Sequence, residues 1–159
     1  MPGSRLQREI RQTKPFRSPS HEAVLALART ADVIRRHFSR LVEAEGISEE
    51  QYNVLRILRG AGEEGLPTLE IAARIIQQTP GITRLLDKLE KKRLVRRKRC
   101  SSDRRQVLCW ITPDGLAILA RLDGPADESN RESMKALTET EIRQLIGLLD
   151  RVRAGHNQI

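Results

Sequence analysis

Aromatic side chains are nearly absent from this chain, which has two Phe, one Tyr and one Trp among 159 residues. Proteins that bind single-stranded nucleic acid stack the bases on rows of aromatic rings. The scarcity of aromatics therefore argues against that class of protein. It also predicts a hydrophobic core built mainly from Leu, Ile, Val and Ala.

Cysteine is scarce as well. Cys100 and Cys109 are too few for the disulfide framework of a small secreted domain, so a reducing cytoplasm is the expected compartment. We interpret both cysteines as ordinary packing residues. The alternative for Cys100 is a redox-sensitive thiol, because the basic residues beside it in the sequence favour the thiolate.

Long apolar runs and catalytic motifs are also missing. No segment approaches the roughly 20 apolar residues that span a bilayer, and the N-terminus lacks an apolar signal-peptide core, so no membrane association is expected. His21, His37 and His156 do not have the spacing of metal ligands. Because no catalytic triad, carboxylate pair or phosphate-binding glycine motif is evident, we predict no metal, no cofactor and no enzymatic activity.

Positive charge is present in excess and is concentrated in one segment. The chain has a formal net charge of +8. Residues 79–105 contain eleven Lys or Arg and three Asp or Glu, so the net positive charge of this segment equals that of the whole chain. A concentrated basic surface is typical of a protein that binds a polyanionic duplex.

Charge and hydrophobic periodicity divide the chain into parts. Residues 1–19 combine three prolines with five basic residues, which predicts a basic, largely disordered N-terminal arm. Apolar residues spaced three and four apart predict long helices in residues 20–46 and 113–155, with an interruption at Gly124-Pro125. Residues 47–112 are predicted to form a separate, basic lobe.

Capping residues predict where the helices begin and end. Ser20 is expected to cap the first long helix and Gly46 to end it. Ser48 and Gln51 form a capping box for the next helix. A short helix is then predicted from Pro67 through about residue 76.

The basic segment combines an amphipathic helix with a hairpin. The helix has one apolar side (Ile82, Leu85, Leu86, Leu89) and one polar side (Thr83, Arg84, Asp87, Lys88, Lys91, Lys92). Residues 94–100 and 106–112 change to the period of two that predicts paired strands, and residues 101–105 are the loop between them. The order of short helix, turn, helix and hairpin predicts a mainly α fold with a small β-hairpin wing, a winged helix-turn-helix.

This order predicts a role for each exposed polar residue. A helix fits the major groove of DNA, where Thr83 and Arg84 reach base edges or phosphates. Arg105, or Arg104 beside it, enters the minor groove from the tip of the hairpin, and Asp103 pairs with the guanidinium of Arg105. The remaining predicted DNA contacts are Thr79, Gly81, Lys88 and Arg97. For Lys88 and Arg97 the alternative is a solvated surface charge that contacts no DNA.

Several short motifs carry a resemblance to a known family: Thr83-Arg84, Asp87, Leu89-Glu90, Leu94-Val95-x-Arg97, Asp103-Arg104-Arg105 and Ile111-Thr112-Pro113-Asp114-Gly115. With these motifs the chain resembles, over roughly residues 20–152, the MarR family of bacterial transcriptional regulators. One position departs from the family pattern. The family usually has Gly where this chain has Arg93, and that position often requires a left-handed backbone, which disfavours a side chain.

The resemblance implies a homodimer whose dimerisation region is formed by residues 20–46 and 113–155. Two winged lobes, each formed by residues 47–112, then bind a pseudo-palindromic operator in double-stranded DNA, most often as a repressor. The resemblance also implies a small aromatic or phenolic effector that changes the spacing of the two recognition helices. The candidate lining of its cleft is His37, Phe38, Leu41, Tyr52 and Arg56.

Two alternatives remain open at this point. The basic N-terminal arm is compatible with an architectural protein that binds DNA without sequence selection. The chain is also compatible with a protein-interaction module that has lost DNA binding, although the retained Arg84, Lys88 and Arg105 argue against it. The ratio of affinities for a promoter fragment and for random duplex distinguishes the first alternative from a regulator.

Overall fold

The computed structural model describes residues 4–77, 81–103 and 105–156. The described residues form helices and a small antiparallel sheet, as predicted. The helices are α1 (Arg5–Glu9), α2 (Pro19–Ala44), α3 (Glu49–Ala61), α4 (Thr68–Arg74), α5 (Ile82–Lys91), α6 (Pro113–Met134) and α7 (Glu139–Ala154), and the strands are β1 (Leu66–Pro67), β2 (Val95–Arg99) and β3 (Val107–Ile111).

The sheet has the strand order β1-β3-β2. Strands β2 and β3 form the predicted hairpin, with Arg97 opposite Cys109 in the register. Strand β1 pairs with the other edge of β3 and was not predicted, because two residues are too few to show a period of two. Pro67, expected to begin a helix, instead ends this strand and precedes α4.

The predicted cap of α2 is wrong by two residues. The hydroxyl of Ser18, not Ser20, accepts the backbone N–H of His21 at 3.1 Å, and Pro19 is the first helical residue. Proline suits this position because its fixed φ is helical and the first N–H groups of a helix need no intrahelical acceptor. The predicted capping box of Ser48 and Gln51 is confirmed at the start of α3.

Helix α6 is continuous through Gly124-Pro125, so the predicted interruption is wrong. Proline inside a helix removes one hydrogen bond and costs about 3 kcal/mol. Leu122 and Ala126, which flank this position, are 3% and 5% exposed. Their burial against the neighbouring helices favours one continuous helix over a break.

The N-terminal arm contains the short helix α1. Ser4 caps α1 by accepting the backbone N–H of Gln7 at 3.2 Å. The side-chain amide of Gln7 then donates to the carbonyl of Gln12 at 3.2 Å. These local hydrogen bonds stabilise the short helix over residues 5–9.

The core lies between α2, α3, α4, α5, α6 and the sheet, and it is aliphatic, as predicted. Its fully buried side chains include Val42, Leu55, Leu58, Ile71, Leu86, Leu89 and Leu119. Helix α7 contributes no buried residue to it. In the part of the chain that the structure describes, no helix is long and apolar enough to cross a membrane.

Arg93 has the left-handed backbone that its position predicts, with φ of +60°. It follows α5, where its N–H donates to the carbonyl of Glu90 at 2.9 Å and the N–H of Leu94 donates to that of Leu89 at 3.0 Å. This pair of bonds is a Schellman motif, which glycine normally ends. The same motif ends α2, with Gly46 at φ +74°.

The two motifs give a matched pair of substitutions. Arg93→Gly is expected to raise the free energy of unfolding by about 0.5 kcal/mol. The change removes the strain of a non-glycine residue with a left-handed backbone, and this gain exceeds the cost of the greater conformational entropy of the unfolded chain. Gly46→Ala is expected to lower it by about 1 kcal/mol for the converse reason. Urea unfolding at one protein concentration measures both. A loss of stability in Arg93→Gly would show that the arginine side chain stabilises the turn.

Candidate nucleic-acid interface

Helix α5 presents one cationic side to solvent. Leu86 and Leu89 are fully buried beneath it, whereas Thr83, Arg84 and Lys88 are exposed. The 3.6-residue period of the helix places these groups on opposite sides. The helix therefore has a rigid aliphatic underside and a row of outward cations, as predicted.

Gly81 is the N-cap of α5 and has φ of +110°. Its carbonyl accepts the N–H of Leu85 at 3.1 Å, which starts the helix. No atom of the described residues lies within 4 Å of the place where a Cβ would stand, so the backbone conformation rather than crowding favours glycine here. Thr79, also predicted as a DNA contact, and Pro80 lie outside the described residues.

A groove separates α5 from the start of α3. It is lined on one side by four cations, Arg84, Lys88, Lys91 and Lys92, and on the other by Ser48, Glu50 and Gln51. A hydrogen bond from the hydroxyl of Ser48 is the main cause that lowers the pKa of the Glu50 carboxyl. The cations outnumber this one carboxylate, so the groove remains positive.

Lys92 is already engaged within the protein. Its Nζ donates to the carbonyl of Gly46 at 2.6 Å and to Oε1 of Gln51 at 3.1 Å. These bonds tie the end of α5 to the turn between α2 and α3. Sequence periodicity missed this contact because both partners are more than 40 residues away.

The wing has two different faces because side chains alternate along a strand. Val95 and Cys109 are buried on the face toward the helices. Arg96 and Lys98 point to the other face and are exposed. Arg96 lies over the ring of Trp110, with Cζ 4.4 Å from the ring centroid, a cation–π contact that orients its charge.

The tip of the wing differs in one respect from the prediction. Arg105 is exposed, as expected. The carboxylate of Asp103 accepts the backbone N–H of Arg105 at 3.0 Å, and among the described residues it has no ion pair with that guanidinium. The predicted pair is wrong because the short local turn offers Asp103 a nearer backbone donor. Arg104 lies outside the described residues.

Arg97 departs from the phosphate contact predicted for it. It lies on the inner face of β2, and its guanidinium is held by the carboxylates of Asp87 and Glu90 on α5. The hydrogen bond to Glu90 is the first cause of the raised pKa of Arg97. The arrangement joins the wing to the helix instead of presenting this cation to a ligand.

A cavity of about 210 Å³ lies between α2, α3 and the end of α4. It contains three of the five residues predicted for the effector cleft: Phe38, Tyr52 and Arg56. The rings of Phe38 and Tyr52 meet edge to face, with centroids 5.1 Å apart, and burial is the first cause that raises the pKa of Tyr52. Two acids, Glu49 and Glu50, also line the cavity, and the lining is completed by Asn53, Ile75, Ile76, Gln77, Ala126 and Asn130.

The other two predicted cleft residues lie elsewhere. His37 lines a separate groove toward α1 and α7. Leu41 packs against the hydrophobic core. Their positions on α2 follow from the helical period, which turns His37 away from Phe38 by about 100°. His37 and Leu41 therefore do not line this cavity, and the effector cleft itself stays a prediction.

The two cysteines are expected to differ in reactivity. A hydrogen bond from the hydroxyl of Ser102 is the first cause that lowers the pKa of the Cys100 thiol, followed by backbone N–H groups. Burial is the first cause that raises the pKa of Cys109. The direction at Cys100 is that of the alternative considered for it, a reactive thiol, but the causes are hydrogen bonds within the turn rather than the basic neighbours.

Thiol labelling from pH 6 to 10 tests this difference, because the thiolate is the reactive form. Cys100 is expected to react with a labelling pKa below that of free cysteine, and Cys109 to react slowly until the protein unfolds. The variants Cys100→Ser and Cys109→Ser assign the two phases. Equal rates at both sites in the folded protein would contradict the expectation.

The chain is similar in sequence and in fold to known transcriptional regulators. Residues 47–107 match the sequence model of the MarR family. A MarR transcription factor from Planctomyces limnophilus is 36% identical, with 85% of this chain and 98% of that chain covered and a TM-score of 0.66. The HTH-type transcriptional regulator MhqR of Bacillus subtilis (strain 168) is 28% identical over 128 residues, 80% of this chain and 87% of that protein.

A third similar protein is BpsR of Bordetella bronchiseptica, whose DNA binding is regulated by 6-hydroxynicotinic acid. It is 21% identical, with 83% of this chain and 98% of that chain covered and a TM-score of 0.73. At this identity the likeness concerns the fold. Together with the crystal structure from Planctomyces limnophilus, it confirms the predicted winged-helix fold.

Proposed function

We propose, because this chain belongs to the MarR family of transcriptional regulators, that it is a homodimeric repressor that binds a pseudo-palindromic operator in duplex DNA. The observation that carries the proposal is the cationic side of α5, with Arg84 and Lys88 exposed above buried leucines. In this proposal α5 enters the major groove, where arginine and threonine read base edges. Arg105 at the wing tip enters the adjacent minor groove.

The unburied surface of α7 supports a homodimer. Ile146, Leu148 and Val152 are 53%, 55% and 50% exposed, although a 16-residue amphipathic helix normally buries one side. Val24 and Val33 on α2 are similarly exposed. A second copy of the chain covers such surfaces in the proposed dimer. Sedimentation equilibrium at micromolar concentration tests it, and a monomer would contradict it.

Selective binding of duplex DNA is the test of the regulator itself. The affinity for the chain's own upstream DNA is compared with that for random duplex of equal length, at several salt concentrations. A regulator prefers its operator by about a thousandfold or more. A ratio near one would favour a nonspecific architectural protein, an alternative that the cations of the N-terminal arm support.

We further propose that the cavity between Phe38, Tyr52 and Arg56 holds a small aromatic effector with an anionic group. The ring packs against Phe38 and Tyr52, and the guanidinium of Arg56 pairs with the anion. The regulation of BpsR by 6-hydroxynicotinic acid is a precedent for a ligand of this chemistry. Binding that closes this cavity changes the distance between the two copies of α5 and releases the operator.

A panel of phenols and aromatic carboxylates in a gel-shift assay tests the effector proposal. A ligand of the expected class releases wild-type protein from operator DNA and releases Arg56→Gln at least tenfold less readily. Arg40→Gln is the control, because Arg40 is an exposed arginine on α2 that does not line the cavity. Equal sensitivity of Arg56→Gln and wild type would remove Arg56 from the site.

A further inference from the structure

We propose that Arg97 is a positioning residue for DNA binding, which pairs with two acids on the recognition helix and fixes the wing against that helix without touching DNA itself. This inference rests on the proposed function, in which α5 is the recognition helix. Its basis is a three-residue cluster formed by Arg97 on β2 with Asp87 and Glu90 on α5.

The cluster has a specific geometry. Nη2 of Arg97 lies 2.5 Å from Oδ1 of Asp87 and 2.6 Å from Oε2 of Glu90. Nε donates to the same Oε2 at 3.0 Å. Because the guanidinium is planar and its donors are fixed, three such bonds restrict the angle between β2 and α5.

Strand alternation prevents Arg97 from facing outward. Its neighbours Arg96 and Lys98 lie on the exposed face of β2, and Arg97 lies on the inner face opposite the buried Cys109. Its side chain is 20% exposed, against 46% for Asp87 and 42% for Glu90. A rotation of the wing that exposed Arg97 to DNA would require all three bonds to break.

The two acids lie on α5, the helix that is proposed to contact DNA. Asp87 is one helical turn from Arg84 and from Thr83, on the polar side of α5. Without Arg97, the two acidic side chains would lie near the phosphates with no paired cation, and acids repel phosphates. The arginine therefore leaves the cluster with one net negative charge instead of two.

A double-mutant cycle separates this role from direct contact. Arg97→Met is measured in the wild-type background and in an Asp87→Asn/Glu90→Gln background. We expect operator affinity to fall about tenfold or more in the first background. The variant lacks the positive charge that pairs with the two acids, and the wing is no longer held against α5. We expect less than a threefold fall in the second, where no acids remain to be neutralised.

A direct phosphate contact gives a different result. It would make the loss equal in both backgrounds and would lower the slope of log affinity against log salt in each, which would overturn the inference. Circular dichroism and thermal unfolding confirm that each variant folds, and Arg97→Gln, which also removes the charge, replaces Arg97→Met if the latter does not. Failure of the proposed function appears separately, as lack of operator preference by the wild type.

Discussion

Alanine at both Arg84 and Arg105 is expected to abolish measurable operator preference, with a loss of affinity of about a thousandfold. Both side chains are exposed, and among the described residues neither has a recorded ion pair. Each arginine contact with a base contributes roughly 1–3 kcal/mol. In the proposed dimer the double variant loses four such contacts, and a loss of about 4 kcal/mol corresponds to a thousandfold.

The single variants distinguish the two contacts. Arg84→Ala is expected to weaken operator and random duplex alike if Arg84 contacts phosphate, and mainly the operator if it contacts a base. Arg105→Ala is expected to lose most on operators with a narrow, A/T-rich minor groove beside the half-site. Fluorescence anisotropy at matched salt measures both.

Arg131→Ala is the control for a simple loss of positive charge. Arg131 lies on α6, where it pairs with Glu128 and remains 70% exposed. Its removal changes the net charge of the dimer as much as Arg84→Ala does, but away from α5 and the wing. If the control lost as much affinity as Arg84→Ala, binding would depend on total charge, as in an architectural protein.

The sequence predicted α5 and its exposed cations because the information is local. The spacing of Leu86 and Leu89 places Arg84 and Lys88 on the other side of one helix, whatever the rest of the chain does. The same holds for the hairpin, where residues that alternate along a strand pair with their near neighbours. Charge concentration then indicated the ligand class.

The role of Arg97 depended on information that is not local. Its face of β2 is set by the register with β3 and by the packing of the wing on α5. A basic residue in a basic segment is by default a candidate phosphate contact, and nothing in its immediate neighbours indicates an inward side chain. The acids that hold it, Asp87 and Glu90, lie ten and seven residues earlier.

The continuity of α6 is a third case, in which tertiary packing overrides local preference. Gly124-Pro125 is a strong local signal for a break. The buried Leu122, Ala126 and Ser129 continue the helical period across it. Local propensity is weaker than burial summed over such a surface.

Gly115→Ala is expected to lower the free energy of unfolding by about 3 kcal/mol. A Cβ at Gly115 would stand 2.6 Å from the carbonyl oxygen of Leu94 and 2.7 Å from Cγ1 of Ile111. The carbonyl cannot move away, because it accepts the N–H of Thr112 at 3.0 Å. The first turn of α6 must therefore shift.

Gly124→Ala on the same helix is the matched control. Nothing lies within 4 Å of its Cβ position, so the change is expected to raise stability by up to about 1 kcal/mol through lower entropy of the unfolded chain. Urea unfolding at one protein concentration compares the variants, and a thermal midpoint roughly 10 °C below that of the wild type is expected for Gly115→Ala. Equal stability of the two would contradict the crowding at Gly115.

The consequence for function follows from where Gly115 lies. The hydroxyl of Thr112 accepts the N–H of Gly115 at 3.2 Å and donates to the carbonyl of Arg93 at 2.7 Å. The start of α6 is thus bonded to the turn that joins α5 to the wing, and the helix continues through the proposed dimer region. A shift of this turn in Gly115→Ala changes the placement of α5 relative to the partner's copy, so operator affinity is expected to fall even at temperatures where the variant is folded.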